Sequence, residues 1–194
     1  MSSAFGAADV YPGVVQYPSE LEDQLTLPNR SRLRTRPLRR CEDRVIRELY
    51  QHLSSRTRHL RFSSSLPELP DSLLRLITSV DYHRRLALLA ESDADDGVEV
   101  VALSEFIAID DHTAEVGIVV RDDWQCLGLG TALATRTLLA AEVRGFDHFV
   151  AQVLHENVGV MRLLDHVGVV ISMRTRREVS EVTFVRRGRR ERRS

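Results

Sequence analysis

The chain has 194 residues, 43% of them hydrophobic and 28% charged, and a formal net charge of -1. That is room for one substantial domain, and no run of about 18 apolar residues is present to form a spanning helix. Two cysteines, Cys41 and Cys126, exclude a disulfide framework and a four-cysteine zinc site; the 27 basic residues are all arginine, which excludes a catalytic lysine.

Met1 to Val10 lacks a charged-then-apolar leader, so the expected location is the cytoplasm. Arginine crowds Arg30–Arg40 and Arg174–Arg193, while acids cluster at Asp93, Asp95 and Asp96, at Asp110 and Asp111, and at Asp122 and Asp123. Such runs read as solvated surface and a frayed tail, and neither nucleic acid nor membrane is expected as a partner. The histidines show no metal-ligand spacing, so no metal is expected.

Met1 to about Asn29 mixes Gly, Pro, Ser and scattered apolar residues without a period, which reads as an extended or poorly ordered arm. Ser31 to Leu38 alternates Leu33 and Thr35 with Arg34 and Arg36, predicting a short strand that stops at Pro37. Val45, Ile46, Leu49, Tyr50 and Leu53 recur at three and four residues, predicting an amphipathic helix over Glu42 to Leu53. Leu73, Leu74, Leu76, Ile77 and Val80 repeat that spacing after two prolines, with Asp71 as the expected N-cap of a second helix. Three apolar runs, Leu86–Ala90, Val98–Ile109 and Ala114–Val120, are separated by short turns and predict an antiparallel meander.

QCLGLGTALATRTLLAAEVRG then reads as a glycine turn opening a long helix, with Leu133, Leu138, Leu139 and Val143 on one side and Gly145 as its stop. Phe149–Leu154 predicts a strand, Val158–Val167 a helix ended by Gly168, and Val169–Met173 and Val179–Val185 two more strands. The class is mixed α/β, with the folded domain over 30–187 and an arginine-rich tail over 188–194.

The stretch that carries chemistry is Gln125, Cys126, Leu127, Gly128, Leu129, Gly130 and Thr131, which follows a strand and runs straight into a helix. Glycines there let backbone approach a ligand, and the unpaired N–H groups of the first helical turn favour an anion such as a pyrophosphate. The spacing lacks the lysine of a P-loop and the three-glycine dinucleotide fingerprint.

This stretch resembles the Q/R-x-x-G-x-G/A motif of the GNAT N-acetyltransferase superfamily, whose loop cradles the pyrophosphate of acetyl-coenzyme A. HENVGVMRLLDHVG is similar to that superfamily's second signature, in which an Asn beside the cofactor's pantetheine arm opens a helix; Asn157 takes that place. RHLRFSSSLPELPDSLLRLITSVDY and AEVGIVVRDDWQCLGLG resemble the catalytic domains of bacterial protein lysine acetyltransferases of the Pat type. The resemblance implies a GNAT acyl-CoA N-acyltransferase fold, a mostly antiparallel mixed sheet splayed at its centre with helices on both faces. It implies acetyl-CoA as cofactor and an amine acceptor, expected to be a protein lysine, in a monomer or homodimer.

An amine with pKa near 10.4 is protonated at neutral pH and needs a base. Glu115 matches the glutamate of the A-E-x-A/G pattern of Pat-like enzymes, and backbone N–H groups near Val119 and Val120 are expected to hold the thioester carbonyl. Pattern alone also allows Glu115 to be the solvent-facing member of an alternating strand, and Cys126 to be a thiol nucleophile. The sequence departs from the Pat-like pattern at Cys126 and Leu127, where that loop carries glycine and a basic residue, and Leu164 and Asp165 replace a tyrosine that many GNAT enzymes use as an acid. These departures leave open a second function: an acyl-CoA-binding regulatory module with weak or no catalysis.

Overall fold

In the computed structural model, which describes residues 16–62, 66–94 and 97–188, the chain begins with a hairpin of β1 (Asp23–Thr26) and β2 (Arg32–Pro37). Helices α1 (Asp43–Gln51), α2 (Ser55–Phe62) and α3 (Asp71–Thr78) follow, then the meander β3 (Arg85–Ala94), β4 (Gly97–Ala108) and β5 (Thr113–Val120). The rest alternates α4 (Leu129–Val143), β6 (His148–Leu154), α5 (Val158–Val167), β7 (Gly168–Arg176) and β8 (Val179–Arg186). One eight-stranded sheet has the order β1-β2-β3-β4-β5-β6-β8-β7, with β5 and β6 parallel and every other neighbouring pair antiparallel. Among the described residues no helix is long and apolar enough to cross a membrane.

Helices cover both faces of this sheet. Leu86, Leu88 and Ala90 of β3 pack into one core with Leu129 and Leu133 of α4, while Ala87 and Leu89 pack into the other with Ile46 and Leu49 of α1 and Leu74 and Ile77 of α3. A strand buried on both faces has no polar alternation, which is why Leu86–Ala90 reads as a continuous apolar run.

The structure changes four expectations. The arm expected over 1–29 contains β1, whose Asp23–Thr26 pairs with Thr35–Arg32 of β2; residues 1–15 of it, and 189–194 of the expected tail, lie outside the described residues. Helix α2 has no counterpart in the hydrophobic pattern, because SRTRHLRF buries only Thr57. Asp71 is the first residue of α3 and not its N-cap, and its carboxylate accepts from Arg47 Nη2 at 2.5 Å instead. On α4 the inward face is Leu129, Leu133, Thr137, Leu138, Ala140 and Ala141, and Leu139 and Val143 point to solvent.

Candidate active site

Strands β5 and β6 are in register at three pairs, Thr113 with His148, Ala114 with Phe149 and Glu115 with Val150. Beyond Glu115 they separate and open a cleft of about 420 Å³. Glu115, Gly117 and Ile118 of β5, Gln152 and Leu154 of β6, Asn157 before α5 and Arg61 of α2 all line it.

Backbone alternation decides which amides face this gap. Arg121 N donates to Val101 O at 2.9 Å and Ile109 N to Thr113 O at 2.8 Å, so the odd-numbered residues of β5 bond to β4. Val116, Ile118 and Val120 therefore turn their N–H groups toward the gap. This corrects the expected carbonyl-binding pair: the amide of Val119 is spent in the β4 ladder opposite Leu103 and its side chain is buried under α1 and α3. Val120 and Ile118 are the residues that offer donors.

The glycine turn abuts the same place. Helix α4 has 15 residues, and its first helical hydrogen bond runs from Ala132 N to Gly128 O at 3.1 Å. The N–H groups of Leu129, Gly130 and Thr131 thus precede the helical ladder, the position where an anion is favoured. A Cβ on Gly130 would meet Val120 Cγ2 at 3.7 Å and Ile118 Cδ1 at 3.9 Å, so the helix opens directly against the gap-facing end of β5. Gly128 has φ 87°, the left-handed region that glycine adopts without cost. Cys126 has φ 59° and is exposed; a residue with a Cβ pays about 1 kcal/mol there. Leu129 contributes backbone only, since its side chain is fully buried, and Leu127 packs partly against the same core.

Side chains tie this loop to the helices opposite. Asp122 accepts from Ser54 N at 2.9 Å, Ser54 Oγ at 2.7 Å and Thr57 Oγ1 at 2.7 Å. Ser54 also caps α2, accepting from Thr57 N at 3.2 Å. Gln125 donates from Nε2 to Val120 O at 3.0 Å and to Thr57 Oγ1 at 3.3 Å. Arg121 bridges Glu99 at 2.6 Å and Asp123 at 2.7 Å. These bonds set α2 over the gap, where His59 Nε2 meets Glu156 Oε1 at 3.3 Å.

Glu115 is exposed and lies in the cleft wall, without a hydrogen-bond or ion-pair partner among the described residues. Asn157 caps α5, its Oδ1 accepting from Val160 N at 3.2 Å, and lines the cleft as well. Two further charged residues, Arg61 and Glu105, line the cleft. Their ion pair lies on the face of β4 and β5 that carries Glu115, since Glu105 is opposite Gly117 and Ile107 is opposite Glu115. Burial pushes the Glu105 carboxyl above the ordinary carboxylate range; Arg61 and, more weakly, Arg85 pull it back, and the charge of Glu115 pushes it up. No pattern in the sequence marks this pair, because Arg61 and Glu105 stand 44 residues apart.

Comparison with known proteins supplies the family. The profile of the Acetyltransferase (GNAT) family matches residues 46–169. An acetyltransferase of Pseudomonas aeruginosa is 30% identical over 112 residues, 57% of this chain and 60% of the relative. The acetyltransferase Pat of Mycolicibacterium smegmatis is 30% identical over 120 residues, 60% of this chain and 35% of the relative. The matches thus span about three-fifths and one-third of the lengths of these curated relatives. In architecture, the crystal structure of the GNAT domain of S. lividans PAT is similar with a TM-score of 0.78 at 23% identity, covering 88% of this chain and 99% of that one. The structure of yncA from Salmonella typhimurium, described with its cofactor acetyl-CoA, is similar with a TM-score of 0.59 at 18% identity over 78% of this chain and 91% of that one. The splayed sheet, the glycine turn at the head of α4 and the matched profile agree, and the chain belongs to the GNAT acetyltransferase family.

Proposed function

We propose that this protein is an acetyl-CoA-dependent N-acetyltransferase acting on a primary amine, with a protein lysine as acceptor and Glu115 as general base. The observation that carries the reading is the separation of β5 and β6 immediately after Glu115. It leaves that carboxylate, Asn157 and Ile118 lining one cleft, with Val120 farther along the same open edge of β5, toward the head of α4. The site fits the cofactor on its own geometry: the left-handed Gly128 and the N–H groups of Leu129, Gly130 and Thr131 form an anion cradle, and the open edge of β5 leads from it into the cleft. The loop from Gln125 to Thr131 would hold the pyrophosphate, with Asn157 on the far wall. The bound cofactor supplies an acetyl group already activated as a thioester.

Glu115 takes the proton of the acceptor ammonium, freeing the nitrogen lone pair for direct attack; as the C–N bond forms the thioester C–S bond would break, and the departing thiolate would take its proton from solvent. Ile118 and Val120 are placed to donate to the acyl oxygen as negative charge grows on it, and such preorganised donors are worth about 3 to 4 kcal/mol in comparable sites. The lysine acceptor is supported by the resemblance of RHLRFSSSLPELPDSLLRLITSVDY and AEVGIVVRDDWQCLGLG to Pat-type enzymes.

The test is a thiol-release assay with acetyl-CoA and lysine-containing proteins, with mass spectrometry to locate the acetyl group. Glu115→Gln is expected to lower kcat by about 10²-fold or more at neutral pH, with partial recovery at high pH where the amine deprotonates unaided. Full kcat across pH in that variant would overturn the base assignment.

A second reading, an acyl-CoA-binding module without turnover, is favoured by the left-handed Cys126 and the loop's lack of a basic residue at 126 and 127. Turnover of any amine that Gly128→Glu abolishes rejects it.

A further inference from the structure

Among the described residues, the half of the cleft that carries Glu115 holds two carboxylates and one guanidinium. Glu105, Glu115 and Arg61 all line it, and Leu60, Leu73, Leu76 and Ile107 make much of the remaining wall apolar, beside the amide of Gln152. Arg61 pairs with Glu105 through Nη2, and Glu115 has no such partner among the described residues. Arg61 reaches that seat because residue 117 is glycine: a Cβ there would collide with the tip of the guanidinium, and Arg61 Cζ would lie 2.8 Å away. No left-handed backbone angle is recorded at Gly117, so its glycine serves the space that Arg61 fills.

We propose that Arg61, seated over Gly117 and paired with Glu105, is a specificity-determining residue of the acceptor chamber. It cancels one of the chamber's two carboxylates, so that the chamber takes a single ammonium on an aliphatic stem and discriminates against diamines. The inference rests on the reading of this cleft as the acceptor side.

Charge and shape argue for this together. The chamber keeps one uncompensated carboxylate, Glu115, which matches one ammonium; the apolar wall matches the methylenes that carry it. A second ammonium would find Glu105 already bonded and would face the guanidinium as a like charge, which is the repulsive element by which a site rejects a near-identical ligand. With the guanidinium gone, buried Glu105 loses its bonded counter-charge and keeps only the weaker influence of Arg85, and the second ammonium of a diamine is the group that can bond it.

Butylamine and 1,4-diaminobutane differ by that ammonium alone. Their kcat/KM values are measured by thiol release from acetyl-CoA in the wild type, Arg61→Met, Gly117→Ala and the double variant Arg61→Met/Glu105→Gln, with thermal melts to confirm folding. The diamine-to-monoamine ratio, corrected for the two equivalent ends, is expected to rise about tenfold in Arg61→Met. It should rise in Gly117→Ala too, where the guanidinium is intact but displaced, and return to the wild-type value in the double variant. A ratio that stays at the wild-type value in both single variants overturns the proposal; if Arg61→Met does not fold, Gly117→Ala decides alone. Turnover of neither amine by the wild type overturns the acceptor-side reading and this inference with it. Unchanged kcat/KM for both amines in Glu115→Gln would remove Glu115 both as base and as the carboxylate that receives the ammonium, and this inference with it.

Discussion

Gln125 donates from Nε2 to the carbonyl oxygen of Val120 at 3.0 Å, so the residue that opens the glycine turn also closes the free end of β5. The turn and the gap-facing amides are therefore held in one frame. Gln125→Ala removes this bond and the one to Thr57, and is expected to cost about 1 kcal/mol of stability and to weaken acetyl-CoA binding severalfold. Urea unfolding and isothermal titration check the two parts separately.

Gly128 sits at φ 87°, where a side chain is strained by about 1–2 kcal/mol. Gly128→Glu adds a carboxylate beside the proposed phosphate cradle. Acetyl-CoA at about 100 times Kd should stabilise the wild type by roughly 2.7 kcal/mol, a rise of a few degrees in Tm, and the variant should show none. An equal rise in both proteins would remove the cradle from this loop.

Partial desolvation pushes the Asp122 carboxyl up, but the bonds from Ser54 and Thr57 outweigh it and hold it below the usual carboxylate range. A carboxylate depressed in the folded state contributes stability above its unfolded pKa, near 3.9, and loses it as pH falls through the lower folded value. Asp122→Asn is expected to destabilise by about 1 kcal/mol at pH 7, a modest figure because the group is exposed and screened. The gap between the two proteins should narrow below about pH 4, and a series of melts from pH 7 to 3 would show it.

Arg36 and Glu91 are 7% and 5% exposed and meet at 2.6 Å; Arg36 also bonds Glu42 at 2.8 Å, joining β2 and β3 to the start of α1. Among the described residues, Arg36→Met leaves Glu91 paired with the exposed Arg34 alone, and it is expected to cost about 3 kcal/mol in urea unfolding. Pairing it with Glu91→Leu should recover most of that loss, since an apolar pair carries no unpaired charge.

What the sequence showed, and what it hid, follows from where each element gets its stability. Helix α5 occupies the expected Val158–Val167, and α4 opens at the glycine turn, because both carry local signals, a cap and a run of core residues. Strand β1 has no buried residue and reads DQLT; it is held by backbone bonds to β2 and by Arg136 of α4, which reaches Asp23 at 2.8 Å and Thr35 at 2.9 Å. Helix α2 is likewise held by polar contacts, with Asp122 at one end and Glu105 near the other, so no apolar period announces it. The glycine turn at the head of α4 is legible because its motif is contiguous. Which of Val119 and Val120 presents its amide is not, since strand alternation becomes definite only with the register against β4.

The separation of β5 from β6 also sets a pattern of amide hydrogen exchange. Ile118 and Val120 have no β6 residue in register opposite them, so their protons are expected to exchange fast in the free protein and, on the proposed reading of the cleft, slow with acetyl-CoA bound. Val119, spent on β4, stays slow in both states. Three consecutive residues of one strand thus form an internal gauge of occupancy, with the middle residue as the reference for its neighbours.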